Sequence, residues 1–212
     1  SIPETISHLT RLISLHLNNN QLTGSIPETV GNLSGLHFKN LFLDNNQLTG
    51  SIPDTIGNLN NLKSLRLYNN QLTGSIPESI GNLSSLTQLY LYDNKLTGSI
   101  PETIGNLSNL RSLSLGGNKL TGSIPESIGN LSSLTLLYLY SNQLTGRIPK
   151  TIGNLNSLND LRLNNNQLRG IVPSNLCNIP NLSVIDLADN NLCPSYPTCV
   201  ASIGNQNISK CH

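Results

Sequence analysis

The 212-residue chain lacks several features on which common protein functions depend. It contains no tryptophan and no methionine, and only 11% of its residues are charged. Its 12 Lys and Arg residues nearly balance its 11 Asp and Glu residues. Because no basic stripe is present, we expect neither nucleic acid nor an anionic membrane as a partner. No apolar run approaches ~18 residues, so the sequence predicts no direct insertion into a membrane.

Motifs for catalysis and for metal binding are also missing. The sequence has no nucleophile elbow, no phosphate-binding loop and no metal-binding triad. Asp160 and Asp186 lie one repeat apart, but two surface carboxylates without a pocket do not indicate catalysis. The four histidines share no repeat position: His8, His16, His37 and His212. We therefore predict that the protein is not an enzyme and that it uses no cofactor and no metal.

Cysteine is scarce and confined to the carboxyl end of the chain. All four residues lie within the last 36 positions: Cys177, Cys193, Cys199 and Cys211. Metal ligation is the alternative to disulfides, but the sequence has no CxxC pair. An even number of cysteines crowded at one end is typical of a disulfide-stapled cap in an oxidising compartment.

The repeat period helps to choose among the three possible pairings. Cys177 would stack on position 201 of the next coil, which lies two residues from Cys199. Adjacent coils are ~4.8 Å apart, within the ~4.4–6.8 Å between Cα atoms that a disulfide tolerates. The sequence therefore favours Cys177–Cys199 and leaves Cys193–Cys211.

The dominant feature that is present is an internal repeat with the pattern LxxLxLxxNxLTGxIPxxIGNLxx. Its turn glycine recurs every 24 residues except for a first interval of 26: Gly24, Gly50, Gly74, Gly98, Gly122, Gly146 and Gly170. A short fixed period predicts a solenoid, in which each unit buries its apolar residues by stacking on its neighbours. We predict a solenoid of about eight repeats over residues 1–192, beginning in mid-coil, and a disulfide-stapled cap over residues 193–212.

One repeat is enough to predict how a coil folds. Around Leu89 and Leu91 the alternation of apolar and polar residues is that of a strand with one buried face, and Tyr90 and Tyr92 point outward. Asn94 follows at a turn where a buried amide can bond neighbouring backbone groups, so its column (the equivalent positions of successive repeats) is interpreted as a structural ladder. Eight strands are expected, centred on Leu15, Leu41, Leu65, Leu89, Leu113, Leu137, Leu161 and Ile185.

The segment LTGSIPETIGNLSNL, from Leu96 to Leu110, resembles the plant-specific class of extracellular leucine-rich repeats. That class includes polygalacturonase-inhibiting proteins, receptor-kinase ectodomains and a carrot antifreeze protein. The resemblance implies an α/β repeat fold: a right-handed solenoid with a concave parallel sheet, short lateral strands and 3-10 or helical turns on the convex side. It also implies a secreted or cell-surface location.

The amino end departs from the family pattern, because no cysteine-bearing cap is present there. Repeats at the end of a solenoid normally need a polar cover. We therefore expect an exposed apolar edge, covered either by preceding residues or by another molecule, including a second copy of the chain. The residues expected at this edge are Ile2, Ile6, Leu9 and Leu12.

Six N-glycosylation sequons agree with secretion, although four of them arise from the repeat consensus GNLS. The predicted glycosylation sites are Asn32, Asn82, Asn106, Asn130, Asn181 and Asn207.

Outward strand positions are free of packing constraints, and six of the eight aromatic residues of the chain lie there. Tyrosine and arginine dominate binding hot spots. We predict that a protein, peptide or glycan partner binds the concave face, although tyrosine is also simply a good strand residue. The predicted site comprises Phe42, Arg66, Tyr68, Tyr90, Tyr92, Ser114, Gly116, Tyr138, Tyr140 and Arg162.

Within that site the spacing predicts a notch with aromatic walls. Tyr90 and Tyr92 would form one wall and Tyr138 and Tyr140 the other, about 10 Å apart across two strand spacings. Ser114 and Gly116 would lie between the walls, with an arginine on either flank.

Two alternative functions remain open at this point. The column of turn glycines is flanked by a Thr before it and a Ser after it, and a flat Ser/Thr array of this kind is what an ice-binding surface requires, although the same residues belong to the repeat consensus. Arg147 and Arg169 interrupt the array at its end. An adhesive or structural wall protein is the third possibility. The array comprises Thr23, Thr49, Thr73, Thr97, Thr121, Thr145, Ser25, Ser51, Ser75, Ser99 and Ser123.

Overall fold

A computed structural model describes residues 1–35, 37–209 and 211 of the chain, so that His212 lies outside the described residues. One strand of each coil joins an eight-stranded parallel sheet, and neighbouring strands pair with a shift of one repeat, as in Leu65 with Leu89 and Leu89 with Leu113. The eight predicted strands are confirmed. They are β1 (Ser14–His16), β3 (Asn40–Phe42), β5 (Ser64–Arg66), β6 (Gln88–Tyr90), β7 (Ser112–Ser114), β8 (Leu136–Tyr138), β9 (Asp160–Arg162) and β11 (Val184–Asp186).

Each coil continues into a 3-10 helix on the side opposite the sheet. In η5 a proline in extended conformation, Pro101, precedes the first helical residue, Glu102. Gly105 is required near the helix end because a Cβ there would lie 2.5 Å from the Ser127 carbonyl oxygen of the next coil. The helices are η1 (Glu4–His8), η2 (Glu28–Asn32), η3 (Asp54–Asn58), η4 (Glu78–Asn82), η5 (Glu102–Asn106), η6 (Glu126–Asn130), η7 (Lys150–Asn154) and η8 (Ser174–Asn178).

A second, narrower ladder runs along the lateral side of the solenoid. It contains β2 (Thr23–Ser25) paired with β4 (Gln47–Thr49) and β10 (Arg169–Ile171) paired with β12 (Asn191–Cys193). Backbone bonds such as Thr97 N–H to Gly74 O, at 2.8 Å, continue the ladder between them. Bridges join Ser75 to Thr97 and Ser123 to Thr145. In the regular repeats, partners here are 22 residues apart in the chain (97 − 75), whereas the large sheet pairs residues 24 apart (113 − 89). In the longer first repeat the two separations are 24 (47 − 23) and 26 (40 − 14). The lateral ladder is therefore staggered by two residues.

Leucine and isoleucine side chains fill the space between the sheet, the lateral ladder and the helices. Core residues of the middle coils, such as Leu89 and Ile104, have 0% of their surface exposed. The amino end differs from expectation in part. Leu9 is 48% exposed, but Ile2 is buried, because it occupies the inward column of Ile26 and packs in the core. Ile13, which was not predicted, is the most exposed apolar residue there, at 60%.

Buried asparagines tie each coil to the one before it. Asn118 Oδ1 accepts from the backbone N–H of Leu96 at 3.0 Å, and its Nδ2 donates to the carbonyls of Leu91 at 3.0 Å and Leu115 at 3.1 Å. The same pattern recurs from Asn46 to Asn190, which confirms the structural interpretation of this column. The residue before each ladder asparagine has positive φ, for example Asp93 at 53°.

The carboxyl-terminal segment ends the ladder with a glutamine. Gln206 Oε1 accepts from Leu192 N–H at 2.9 Å, and Nε2 donates to the Leu187 carbonyl at 2.8 Å. These are the bonds that an asparagine makes in the preceding coils. The predicted division between residues 192 and 193 stays a prediction, and β12 crosses it.

Both disulfides of the structure lie in this carboxyl-terminal region. Cys177 is joined to Cys199 with Cα atoms 5.4 Å apart, and Cys193 to Cys211 with Cα atoms 5.5 Å apart. These are the two pairs that the repeat period favours. Among the described residues, no helix has the length and the apolar character that crossing a membrane would require.

We expect the substitution Asn118→Ala to lower the free energy of unfolding by about 2 kcal/mol, because it leaves the buried N–H of Leu96 without a partner. The carbonyls of Leu91 and Leu115 each lose one of two amide donors and keep those of Asn94 and Asn142. Urea unfolding would measure the change. Asn20→Ala is the matched control, since Asn20 belongs to the same column but is exposed and bonds only carbonyls of its own coil. An equal loss in both variants would contradict a structural role for the ladder.

Candidate ligand-binding site on the sheet face

The outward side chains of strands β5 to β8, and of the residues that follow them, enclose an open cavity of about 420 Å³. Seven of the ten predicted site residues line it, and Ser112, Leu113 and Leu136 are lining residues that were not predicted. The seven are Arg66, Tyr68, Tyr90, Tyr92, Ser114, Tyr138 and Tyr140.

One wall of the cavity is a stack of aromatic rings from neighbouring coils. The rings of Tyr68 and Tyr92 are parallel within 7°, with centroids 4.4 Å apart. The pairing differs from the predicted wall of Tyr90 and Tyr92, because Tyr92 stacks on the equivalent residue of the preceding coil. Stacking across coils holds the two rings against each other, and both residues line the cavity.

Arg66 lies at the same side of the cavity, held between two rings. Its guanidinium carbon is 4.2 Å from the centroid of Phe42 and 5.8 Å from that of Tyr90. Nη2 donates to Gln88 Oε1 at 3.2 Å, while Nε is buried without a partner. Phe42 itself stacks on His16 at 4.4 Å, so it supports Arg66 rather than lining the cavity.

The opposite wall is fixed by a buried carboxylate. Asp160 accepts from Tyr138 O–H at 2.7 Å and from Arg162 Nε and Nη2, both at 3.1 Å. Asp160 neutralises the positive charge of Arg162. Arg162 does not line the cavity. Its guanidinium also lies 5.1 Å from the Tyr138 ring centroid.

The floor of the cavity is formed by β7. Ser112 and Ser114 are 8% and 5% exposed, and neither hydroxyl has a hydrogen-bond partner among the described residues. Gly116 is predicted to lie open between the walls, but the Tyr140 ring covers it. A Cβ on Gly116 would lie 2.5–2.7 Å from ring atoms of Tyr140, so glycine is what allows the ring to lie across the strand.

The hydroxyl rows lie on the lateral side, away from this cavity. Their threonines and serines are exposed along the ladder. Because of the two-residue stagger, Thr97 pairs with Ser75 of the previous coil rather than with Thr73. The array therefore alternates Thr and Ser between coils, which differs from the predicted simple rows. At its end the Arg147 side chain lies 3.2 Å from where a Cβ of Gly170 would be.

Comparison with known proteins decides the family. The model of a leucine-rich repeat region matches residues 80–205, and two further leucine-rich repeat models match residues 37–96 and 11–33. The chain belongs to the leucine-rich repeat family. No curated protein matches it.

Among solved structures, this leucine-rich repeat protein is similar to two plant receptor ectodomains. One is that of the membrane receptor kinase GASSHO1/SCHENGEN3 from Arabidopsis thaliana, solved with CASPARIAN STRIP INTEGRITY FACTOR 2, at 35% identity and a TM-score of 0.83. The other is the Arabidopsis receptor kinase HAESA with the peptide hormone IDA and the co-receptor SERK1, at 35% identity and a TM-score of 0.85. They cover 96% and 91% of this chain, which spans only 27% and 32% of theirs.

A plant ice-binding protein is also similar, at 30% identity and a TM-score of 0.70, covering 93% of this chain and 70% of its own. The expected resemblance to plant extracellular leucine-rich repeat proteins is confirmed, as is the solenoid fold with a concave parallel sheet. The cavity therefore lies on the concave face of this leucine-rich repeat protein.

The predicted glycosylation sites lie away from the concave face or remain exposed near the cap. Asn32, Asn82, Asn106 and Asn130 are the last residues of η2, η4, η5 and η6, on the convex side. Asn181 and Asn207 are also exposed. Their glycosylation stays a prediction. Among residues 1–35, 37–209 and 211, no cluster of three or more His, Cys, Asp or Glu could hold a metal ion.

Four tyrosines that line the cavity of this leucine-rich repeat protein have a raised pKa. Burial, together with the neighbouring Tyr68, raises the pKa of Tyr92 from its ordinary value of 10.0 to about 12. Burial also raises the pKa of Tyr68, of Tyr138, which donates to Asp160, and of Tyr140, which lies near the charge of Asp93. These four side chains therefore offer neutral phenol groups at physiological pH.

We expect stability to fall between pH 10 and about 12. Over that range Tyr92 ionises in the unfolded chain but stays protonated in the folded protein. Its stabilising contribution is therefore complete below pH 10 and is lost as the pH rises through the pKa of Tyr92 in the folded state. Absorbance of tyrosinate and urea midpoints across that range would measure both effects. Tyr92→Phe should flatten this part of the profile; an unchanged profile would contradict the assignment.

Proposed function

We propose that this leucine-rich repeat protein is a secreted or cell-surface recognition module without catalytic activity. Its ligand is a protein segment or peptide that lies across the concave face and inserts a side chain into the cavity between Tyr92 and Tyr138. The observation that carries the proposal is the cavity itself, in which five tyrosines and one arginine of neighbouring coils converge.

Physical reasons favour binding at this surface. The Tyr68–Tyr92 stack and the Tyr138–Asp160 bond hold the rings in place before a ligand arrives, so little side-chain entropy is lost on binding. Tyrosine offers a large apolar area with a polar tip. The similar ectodomains of HAESA and GASSHO1/SCHENGEN3 were solved in complex with a peptide hormone and with an integrity factor, respectively, which supports a protein or peptide ligand here. A glycan stacked on tyrosine remains a prediction.

The paired substitution Tyr90→Ala and Tyr138→Ala tests the proposal. Random peptides displayed on phage would be selected on the wild-type protein and their Kd values measured by calorimetry. We expect the double variant to lose at least ~30-fold in affinity, since truncating a hot-spot tyrosine costs ~2 kcal/mol, while the Tm stays nearly unchanged.

The matched control is the pair Thr97→Ala and Thr121→Ala on the lateral side, which should leave peptide affinity unchanged. Peptides that bind the tyrosine variant as tightly as the wild type, or a failure to select any peptide, would contradict the proposed site. A glycan array probed in parallel would show whether the ligand is a sugar instead.

Ice binding is the second candidate, favoured by the exposed Thr–Ser ladder and by the similarity to a plant ice-binding protein. In that case the wild type should show thermal hysteresis and shape ice crystals. Thr97→Lys with Thr121→Lys should abolish both effects, because charged, hydrated side chains would disrupt the flat array. The tyrosine pair, Tyr90→Ala with Tyr138→Ala, should retain them. Absence of hysteresis in the wild-type protein would exclude this function.

A further inference from the structure

The two arginines beside the cavity differ in their electrostatic state. Arg162 shares Asp160 in the only salt bridge found among residues 1–35, 37–209 and 211. Arg66 forms no salt bridge with any described residue, and its one side-chain hydrogen bond is to the neutral amide of Gln88. The positive charge of Arg66 is therefore uncompensated at a cavity that it lines.

The rings around Arg66 fix the position of that charge. Phe42 and Tyr90 hold the guanidinium from two sides, and the bond to Gln88 draws its end toward β6. Gln88 cannot turn away easily, since its Oε1 also accepts from Ser64 Oγ at 3.0 Å. A held, planar guanidinium with unused N–H groups is suited to a carboxylate, which it can bind through two parallel hydrogen bonds.

The cavity floor adds further hydrogen-bond donors. In sheet register Gln88 is paired with Ser112 of the next strand, and Ser112, Ser114 and Arg66 all line the same cavity. Both serine residues are more than nine-tenths buried, line the cavity and have unpaired hydroxyls. A guanidinium accepts no hydrogen bond, and a hydroxyl can donate one. The guanidinium and both hydroxyls can therefore donate to a ligand oxygen at this end of the cavity.

The acidic residues near the cavity do not line it. Asp160 is occupied by Tyr138 and Arg162. Asp44 is buried and accepts from Asn45 at 3.0 Å, and Asp93 lies against Gly117 in the next coil; neither lines the cavity. Among the described residues that line the cavity, Arg66 alone is charged, so a charged ligand meets a positive group in the cavity wall.

We propose that Arg66 determines the specificity of the cavity for a peptide that carries a carboxylate next to an aromatic or flat apolar group. The carboxylate accepts from Arg66 and from the serine hydroxyls of β7, and the apolar group lies between the rings of Tyr92 and Tyr138. This inference rests on the proposed function, whose ligand it restricts to acidic peptides.

The test uses two small probes of the same shape, phenylacetate and its neutral analogue phenylacetamide. Titrations followed by chemical shifts of the Arg66 side chain and of the tyrosine rings would give the two Kd values. We expect the wild type to bind phenylacetate at least ~10-fold more tightly than the amide, about 1.4 kcal/mol. Arg66→Gln should bring this ratio close to one. Arg66→Lys, which keeps the charge but not the planar fork, should retain part of it.

Arg111→Gln is the matched control, because it removes the same charge from an exposed position that does not line the cavity. Arg111→Gln should leave the ratio of the two Kd values unchanged. An equal effect of Arg111→Gln and Arg66→Gln on this ratio would overturn the proposal in favour of general electrostatic attraction. Equal binding of both probes by the wild type, or binding of neither, would also overturn it. The proposed function fails separately, if selected peptides ignore Tyr90→Ala with Tyr138→Ala.

Discussion

Each coil of this protein is completed by the coil that follows it. An asparagine of the later coil accepts from a backbone N–H of the earlier one and donates to one of its carbonyls, as Asn118 does with Leu96 and Leu91. The N–H would otherwise be buried without a partner, at a cost of ~1–3 kcal/mol, whereas the carbonyl would keep only the donor from its own coil, Asn94. The leucine layer and both backbone ladders depend on this register. Stability is therefore the sum of contacts between neighbours, and no coil is independent of the next.

This division of labour leaves the outward strand positions free for recognition. Their side chains contribute little to the core, so their identity can vary from coil to coil while the fold stays constant. In the middle coils they form two unlike walls. One is built from stacked rings around Arg66, and the other from Tyr138 and Arg162 held by one buried carboxylate. The same residue type, arginine, is thus a free charge on one side and a neutralised one on the other.

The repeat period of the sequence predicted most of the fold, because every coil of a solenoid has the same backbone conformation and the same packing against its neighbours. The strand centres, the inward leucines and the asparagine ladder follow from residues within one repeat. The repeat period could not predict contacts between coils that depend on side-chain conformation. Tyr92 stacks on Tyr68 rather than pairing with Tyr90, and the Tyr140 ring covers Gly116. Gln206 was missed because it occupies the asparagine role outside the motif. A signal existed for the positive-φ column, where Asn, Asp and Gly predominate.

The two-residue stagger between the large sheet and the lateral ladder gives the surfaces of this protein different geometries. On the concave face, equivalent residues of successive coils lie side by side, so an extended chain crossing the strands meets one residue type after another in straight files. On the lateral side, a residue lies beside one that is offset by two positions in the repeat, so equivalent residues of successive coils follow an oblique line. A binding partner whose contacts match the spacing of one surface would therefore not match the positions of equivalent residues on the other.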